Sequence, residues 1–226
     1  MRPDPILGSV SLSDERAAFI RQHTQAAPVP ALPDIRLYQA SEVTRLWEMT
    51  EAELEANNLP PPFWAFPWAG GQGLGRFVQD NPHLVRGRRV LDLACGSGLV
   101  GIVAALCGAN EVVANDIDPF AEAACALNSA LNGVSLRFEA TDMLSGSVPD
   151  VDVILAGDIF YEKQMSACML TFLRAAHDKG IAIYLGDPHR TYMPRDGLNR
   201  EAQYTVATQT TIEDTPTKTV SIWSLI

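Results

Sequence analysis

The stretch RVLDLACGSGLVG at residues 89–101 decides the fold. Its first five residues form a short apolar run that predicts a buried β-strand, and the apolar residues after the glycines predict a helix. Gly96 and Gly98 lie between the two. Glycine allows a ligand to approach the backbone closely there, and the start of the helix offers free N–H donors. This order predicts a nucleotide-binding α/β unit.

The alternation of strands and helices continues outward from this unit. Further strands are predicted at EVVAND, SLRFEAT, DVILAGD and IAIYLGD, with helices between most of them. At the end of the chain, AQYTVATQTT and TKTVSIWSLI alternate in polarity and predict an antiparallel hairpin at the sheet edge. We therefore predict an α/β fold: a Rossmann-like seven-stranded sheet, mostly parallel with a C-terminal antiparallel hairpin, and helices on both faces.

The composition changes near residue 60. We predict an N-terminal helical extension over residues 1–60 and a separate domain over 61–226. Ser13 is a candidate cap for a helix over roughly 14–25, and the proline-rich AAPVPALP at 26–33 is expected to end it. A second helix is predicted from Ser41, over 41–58. Its acidic outer face is either solvated or a docking surface for a basic partner.

The charge balance limits the class of partner. The chain has 226 residues, with 17 Lys plus Arg against 27 Asp plus Glu, which gives a net charge of −10. An acidic body repels phosphate backbones and anionic membranes, so we expect neither nucleic acid nor membrane as a partner, whereas a basic protein is favoured. No secretory signal is recognisable, and we expect a cytoplasmic monomer. Four cysteines without metal-type spacing are expected to be reduced core thiols, and we predict no metal site.

The charge of the glycine-rich turn separates two cofactor classes. GSGLVG at 96–101 fits the dinucleotide pattern GxGxxG, which by itself leaves an NAD-dependent oxidoreductase open. However, Asp92 precedes Gly96 by four residues and would repel a pyrophosphate. It would attract the sulfonium and ammonium groups of S-adenosylmethionine, which is therefore favoured. The alternative for Asp92 is a purely structural carboxylate that caps the helix.

Two further acidic residues suit an adenosyl ligand. Asp116 follows the second strand of the α/β region and is predicted to bind the ribose hydroxyls. Asp118 then caps the next helix, with Pro119 in its first turn. Asp142 follows the third strand and either accepts a hydrogen bond from the adenine amino group or serves as a turn residue.

Several motifs together resemble a known family. LDLACGSGLVGIVAA, ANDIDP and LAGDIFYE, with the terminal hairpin, resemble class I (seven-β-strand) S-adenosylmethionine-dependent methyltransferases over about residues 60–226. PFWAFPWAGGQGL at 62–74, GDIFYE at 157–162 and GDPHRTYMP at 186–194 are similar to the electron transfer flavoprotein β-subunit lysine methyltransferases. The resemblance implies methylation of lysine ε-amines on a protein, with electron transfer flavoprotein β-subunit or a ribosomal protein as partner.

The resemblance also implies roles for individual residues. Asp158 and Tyr161, in the order acidic residue, two spacers, aromatic residue, would be the catalytic pair, with Asp158 binding and orienting the lysine amine. Phe160 and Asp187 would line the substrate channel, and Trp68 and Gly71 would lie over the cofactor. The structural alternatives are a helix cap for Asp158, a core position for Phe160 and simple packing for Trp68. A small-molecule N-methyltransferase and a non-catalytic binding module remain alternatives for the whole chain.

Overall fold

The structure, a computed structural model, describes residues 12–40, 46, 61–208, 213 and 215–226. The helices are α1 (Leu12–His23), α2 (Ala69–Asp80), α3 (Leu99–Leu106), α4 (Pro119–Leu131) and α5 (Lys163–His177). The strands are β1 (Gln25–Val29), β2 (Leu32–Gln39), β3 (Arg89–Leu93), β4 (Glu111–Asn115), β5 (Arg137–Glu139), β6 (Val153–Gly157), β7 (Ala182–Asp187), β8 (Leu198–Ala207) and β9 (Thr217–Leu225).

Seven of these strands form one sheet in the order β5-β4-β3-β6-β7-β9-β8. The five strands from β5 to β7 are parallel, while β9 runs antiparallel to both β7 and β8. The direction of winding reverses between β3 and β6, which leaves a crevice at the carboxyl ends of these strands. The predicted α/β fold with its terminal antiparallel hairpin is confirmed.

The sheet is covered on both faces because its central strands are apolar on both sides. Val90 packs into a core cluster with residues of α2 and α3, whereas the next residue, Leu91, belongs to the cluster that α5 covers. Both side chains are fully buried. Consecutive side chains of a strand point to opposite faces, so a continuous apolar run requires helices on each side.

The N-terminal segment differs from the prediction of helices alone. α1 forms close to the predicted range, but the proline-rich stretch that follows it is an antiparallel hairpin of β1 and β2. Val29, Leu32 and Leu37 of this hairpin are buried in the same core cluster as α2 and α3. The helix predicted over 41–58 lies outside the described residues apart from Leu46. The domain boundary at residue 60 stays a prediction.

Two asparagines of α4 attach the hairpin to the rest of the protein. Asn128 accepts a hydrogen bond from the backbone N–H of Tyr38 and donates one to the carbonyl oxygen of Ser97. Asn132 pairs with both the N–H and the carbonyl oxygen of Arg36. Since Ser97 belongs to the glycine-rich turn, Asn128 connects the hairpin directly to the predicted ligand site.

Other features concern metals, membranes and thiols. In the described ranges, no group of three or more His, Cys, Asp or Glu residues is placed to hold a metal ion. Among the same residues, no helix combines the length and apolar character that crossing a bilayer requires. The four cysteines are free; Cys125 is buried, but Cys168 is exposed on α5, so the expectation that all four are core thiols is wrong for Cys168.

Candidate active site

A cavity of about 410 Å³ lies at the carboxyl ends of β3, β4 and β6. This is the crevice at which open α/β sheets bind their ligands. Six of the seven residues predicted to bind the cofactor line the cavity, together with both residues predicted to be catalytic: Trp68, Gly71, Asp92, Gly96, Asp116, Asp142, Asp158 and Tyr161. Residues far apart in the chain are therefore brought to one place, and their individual roles stay predictions.

The seventh residue, Gly98, does not line the cavity but determines the backbone conformation of the turn. It has a φ of 77° and forms the N-cap of α3. A Cβ atom at this position would lie 2.6 Å from the sulfur of Cys125 on α4. Glycine is thus required both by the left-handed backbone and by the close packing of α4.

Asp92 combines the two roles considered for it. Its Oδ2 atom accepts a hydrogen bond from the backbone N–H of Gly101 at 2.7 Å, which caps the first turn of α3. The side chain also lines the cavity. Burial raises the pKa of this carboxyl to about 7, and the nearby charge of Asp116 adds to the increase. Asp92 therefore stabilises the turn and also contributes a titratable carboxyl to the lining of the cavity.

Asp116 connects the glycine-rich turn to the segment that begins α4. One carboxylate oxygen accepts the N–H of Gly96 at 2.9 Å, and the other accepts the N–H of Asp118 at 3.0 Å. Burial raises its pKa, although these hydrogen bonds lower it. Asp118 caps α4 through the N–H of Phe120, as predicted. Asp142 accepts from the N–H of Leu144 in a short turn and still lines the cavity.

Aromatic side chains form one wall of the cavity. The ring of Phe63 lies 5.4 Å from that of Tyr161 and 5.7 Å from that of Trp68, centroid to centroid. The indole N–H of Trp68 donates to the carbonyl oxygen of Phe63 at 2.8 Å, which fixes its ring. Trp64 is buried and stacks on Phe120. Tyr161 is 46% exposed, so this wall reaches the protein surface.

Asp158 lies at the end of β6 in a strained backbone conformation, with a φ of 59°. Such an angle is uncommon for a residue other than glycine, and where it occurs it often marks a functional site. The carboxylate is 7% exposed. Its Oδ2 atom accepts the N–H of Gly71 at 3.2 Å, and its Oδ1 atom accepts Nε and Nη2 of Arg190 at 3.0 and 2.6 Å. The carboxylate is thus held on both sides.

The pKa of Asp158 reflects opposing influences. Burial and the negative charges of Glu213 and Asp187 raise it, Arg190 lowers it, and the net result is a pKa of about 6. Asp158 is therefore mostly ionised at neutral pH even though it is buried. The cap of α5 is not Asp158 but Glu162, whose two oxygens accept the N–H groups of Gln164 and Met165.

Two predicted channel residues lie elsewhere. Phe160 is 1% exposed and packs in a core cluster together with residues of α5. Asp187 is also buried. Its Oδ1 atom accepts the N–H of Arg190 at 2.8 Å, and it does not line the cavity. Neither residue lines the cavity, so the geometry does not support their assignment to the channel wall, which stays a prediction, although Asp187 shapes the loop that borders the cavity.

Two residues were not predicted to lie around Asp158. Arg190 belongs to the GDPHRTYMP motif, which offered a signal, but the sequence does not show that it contacts Asp158. Glu213 precedes β9 and is buried, with Oε1 accepting the N–H of Ala69 at 3.2 Å. A single acidic residue in a polar connection carries no sequence signal of this kind.

Comparisons with known proteins agree with this geometry. The ribosomal protein L11 methyltransferase family (PrmA) matches residues 79–183. The chain is 36% identical to the electron transfer flavoprotein beta subunit lysine methyltransferase of Xenopus laevis over 92% of this chain and 85% of that protein. It is 36% identical to the protein of the same name from Danio rerio, covering 86% and 75%.

A solved structure shares the fold. PH1948 from Pyrococcus horikoshii, a candidate RNA methyltransferase, has a TM-score of 0.55 at 18% identity and covers 78% of this chain and 98% of that one. The relatives are named methyltransferases, which does not support the oxidoreductase alternative. Because the sequence similarity extends over most of both chains, this protein belongs to the electron transfer flavoprotein β-subunit lysine methyltransferase family.

Proposed function

We propose that the protein transfers methyl groups from S-adenosylmethionine to lysine side chains of the electron transfer flavoprotein β-subunit. The observation that carries the proposal is the charge of the cavity. Among the described residues, five carboxylates and one guanidinium line it: Asp92, Asp116, Asp118, Asp142, Asp158 and Arg190. Such a lining suits a cationic methyl donor and a cationic lysine, and it opposes a pyrophosphate.

The residues present fit the cofactor. Gly96 has a left-handed backbone conformation, and a Cβ atom at this position would have no neighbouring atom closer than 3.7 Å. The backbone of the turn is therefore open to a ligand. Asp116 would bind the ribose, Asp142 the adenine, and Asp92 the charged amino acid end. When bound, S-adenosylmethionine supplies an electrophilic methyl group on a positively charged sulfur.

The chain's own residues prepare the lysine. A free lysine has a pKa of about 10.4, so it arrives as an ammonium ion and must lose a proton before it can attack. The carboxylate of Asp158 attracts and orients this ammonium. The rings of Phe63, Trp68 and Tyr161 remove water from it, which lowers its pKa toward neutrality, and the proton is released to the solvent at the exposed edge of Tyr161 before the neutral nitrogen attacks. The remaining requirement is alignment of the nitrogen with the methyl carbon, which proximity in the cavity supplies.

A protein substrate fits the surface of the site. Because Tyr161 is 46% exposed, the aromatic wall continues from the cavity to the outside, where a lysine presented by another protein can enter. The net charge of −10 favours a basic segment around that lysine. The monomeric state, the cytoplasmic location and the absence of nucleic acid partners stay predictions from the sequence.

Intact-mass measurement tests the proposal. Electron transfer flavoprotein and ribosomal proteins are purified from cells that lack this protein and are incubated with it and S-adenosylmethionine. We expect the mass of the flavoprotein β-subunit to increase in steps of one methyl group, and peptide mapping to place the increase on lysine. Transfer to a ribosomal protein alone would refute the proposed partner, and transfer to no protein would refute the proposed substrate class.

The affinity for S-adenosylmethionine should increase with pH up to about 7. A cationic ligand favours the ionised form of Asp92, whose pKa is raised to about 7, so binding is tighter once that proton is lost. Below the pKa, we expect the affinity to change by up to about tenfold per pH unit. Titration calorimetry at a series of pH values measures this, and Asp92→Asn should weaken the dependence near pH 7, while the carboxyl of Asp118, whose pKa is raised to about 6, still contributes at lower pH. A pH-independent affinity of the unchanged protein would refute it.

The unliganded protein should show the opposite trend in stability. The folded state keeps the proton of Asp92 over a range in which the unfolded chain, with a pKa of about 3.9, has released it. The contribution of Asp92 to the free energy of unfolding therefore decreases as pH rises from about 4 to about 7.

Replacing Asp116 should weaken cofactor binding without blocking the transfer step. Asp116→Ala removes the acceptor for the N–H groups of Gly96 and Asp118 and the proposed ribose contact. Since hydrogen bonds to charged groups contribute about 1.5–3 kcal/mol each, we expect a rise in Kd of about 10- to 100-fold. Glu111→Gln, at the exposed opposite end of β4, is the control. An unchanged Kd for Asp116→Ala would exclude the ribose role.

A further inference from the structure

The loop after β7 is folded so that it presents one guanidinium to the cavity. Asp187 accepts hydrogen bonds from the backbone N–H groups of both His189 and Arg190, and His189 has a φ of 68°. This compact turn brings the side chain of Arg190 back over the end of β6. Arg190 therefore lines the cavity next to Asp158, although the two residues are 32 positions apart in the sequence.

The guanidinium of Arg190 connects its own loop to three other segments of the protein. Its Nε and Nη2 atoms donate to Oδ1 of Asp158 at 3.0 and 2.6 Å, and Nη2 lies 3.5 Å from Oε1 of Glu213. Its central carbon lies 5.8 Å from the ring centre of Trp68. Arginine suits this position because its planar fork donates several fixed hydrogen bonds and stays charged.

Three buried carboxylates lie around the single guanidinium of Arg190. Asp158, Asp187 and Glu213 are 7%, 1% and 5% exposed. Within the described residues, Oδ2 of Asp187 and Oε2 of Glu213 accept no hydrogen bond. Lys218 on β9 approaches Glu213 only to 4.0 Å, and His189 faces Asp187. A second positive charge from a substrate would therefore relieve repulsion in this cluster.

We propose that Arg190 is a positioning residue for the methyl transfer, holding the carboxylate of Asp158 oriented and ionised so that it can bind the ammonium of the substrate lysine. Without Arg190, the neighbours of Asp158 would be Glu213 and Asp187, two negative groups in a buried setting. The carboxyl would then take up a proton and lose its attraction for the ammonium. The proposal rests on the proposed lysine substrate.

The pH profile of kcat/KM for the protein substrate tests this role. The acid limb is the range in which activity falls as Asp158 becomes protonated. In Arg190→Met we expect the acid limb to move upward by about 1–3 pH units, because an opposite charge at contact distance lowers a carboxyl pKa by about that amount. Activity at neutral pH should fall about tenfold and partly recover at higher pH. Arg190→Lys should restore the acid limb.

A second variant predicts a shift in the opposite direction. Glu213→Gln keeps an acceptor for the N–H of Ala69 but removes a negative charge beside Asp158, so its acid limb should move to lower pH. Arg195→Met, an exposed arginine in the same loop, is the control and should leave the profile unchanged. Opposite shifts from the two variants would not arise from general loosening of the fold.

A measurement without substrate separates the inference from the proposed function. The infrared band of the protonated Asp158 carboxyl, assigned by its absence in Asp158→Asn, is followed against pH in the unliganded protein. Its midpoint should rise in Arg190→Met and fall in Glu213→Gln. Unmoved midpoints in both variants would overturn the inference even if the protein methylates lysine. Failure of the unchanged protein to methylate any protein would instead overturn the proposed function.

Discussion

Asp158→Asn will reduce lysine methylation by about 100-fold or more, the magnitude typical of losing one preorganised electrostatic group at a reacting centre. The affinity for S-adenosylmethionine should stay within about threefold of that of the unchanged protein. Asparagine has the same shape as aspartate but no charge, so it cannot attract the ammonium of the substrate. It also places an amide N–H group against either Gly71 N–H or Arg190, both of which are donors in the structure. We therefore expect this variant to lose methyl transfer while it keeps its binding of S-adenosylmethionine.

The measurement is single-turnover transfer to the protein substrate, with cofactor affinity determined by calorimetry. Glu162→Gln is the matched control, since it makes the same carboxylate-to-amide change four residues further along in an exposed cap of α5. We expect that control to keep its transfer rate and to lose at most about 1 kcal/mol of stability. If Asp158→Asn kept more than a tenth of the rate, Asp158 would not be the lysine-binding carboxylate.

The sheet and its helices could be predicted from the sequence because their local signals agree with their tertiary role. In β3 the apolar run covers both faces, and in α4 the cap Asp118 precedes Pro119 in the first turn. The strand ends then place Asp92, Asp116 and Asp158 at one edge by topology alone. These residues could be grouped without coordinates because parallel strands end on the same side.

The hairpin of β1 and β2 was not predictable in the same way. Its prolines indicated a break in regular structure, which is correct for a helix but not for a two-stranded sheet. Pro28 pairs with Arg36 next to an irregularity in the register, a position that tolerates a missing N–H. Its stability comes from contacts with α4 and the core, which a local sequence pattern does not contain.

The active-site environment of Asp158 was hidden for a similar reason. The family resemblance pointed to its carboxylate, but its partners Arg190 and Glu213 come from the loop after β7 and the segment before β9. Burial of a lone charged residue depends on distant chain segments, so Glu213 does not differ from a surface residue in sequence, and the motif around Arg190 does not reveal its contact with Asp158. Phe160 shows the converse, since this aromatic residue lies next to two residues that line the cavity and itself packs in the core.

The helix α2 was missed because its sequence, AGGQGLGRFVQD, contains glycines that disfavour helices by about 1 kcal/mol each relative to alanine. The structure shows why they are present. A Cβ atom on Gly73 would lie 2.6 Å from Val220 of β9, and one on Gly75 would lie 2.8 Å from Leu32 of β2. Glycine thus lets α2 pack directly on its neighbours, and this packing gain outweighs the intrinsic preference.

This packing leads to a stability prediction for two adjacent glycines, Gly70 and Gly71. A Cβ atom on Gly70 would lie 2.5 Å from Oδ2 of Asp158 and closer still to the carbonyl oxygen of Gly186, which is backbone and cannot rotate away. Gly70→Ala should therefore cost at least about 3 kcal/mol, the upper end of typical overpacking. For a chain of this size, that lowers Tm by about 6–12 °C.

Gly71→Ala is the matched control in the same helical turn. Its Cβ atom would be 3.9 Å from Leu99 and Val100, an ordinary contact distance, and alanine favours the helix by about 1 kcal/mol. Thermal unfolding followed by calorimetry should therefore show a large loss for Gly70→Ala and a Tm for Gly71→Ala equal to or above that of the unchanged protein. Equal losses in both variants would mean that helix α2 is disturbed generally. A loss confined to Gly70→Ala would instead locate the close contact between α2 and the carboxyl ends of β6 and β7. This is the same contact that places the N–H of Gly71 against Asp158.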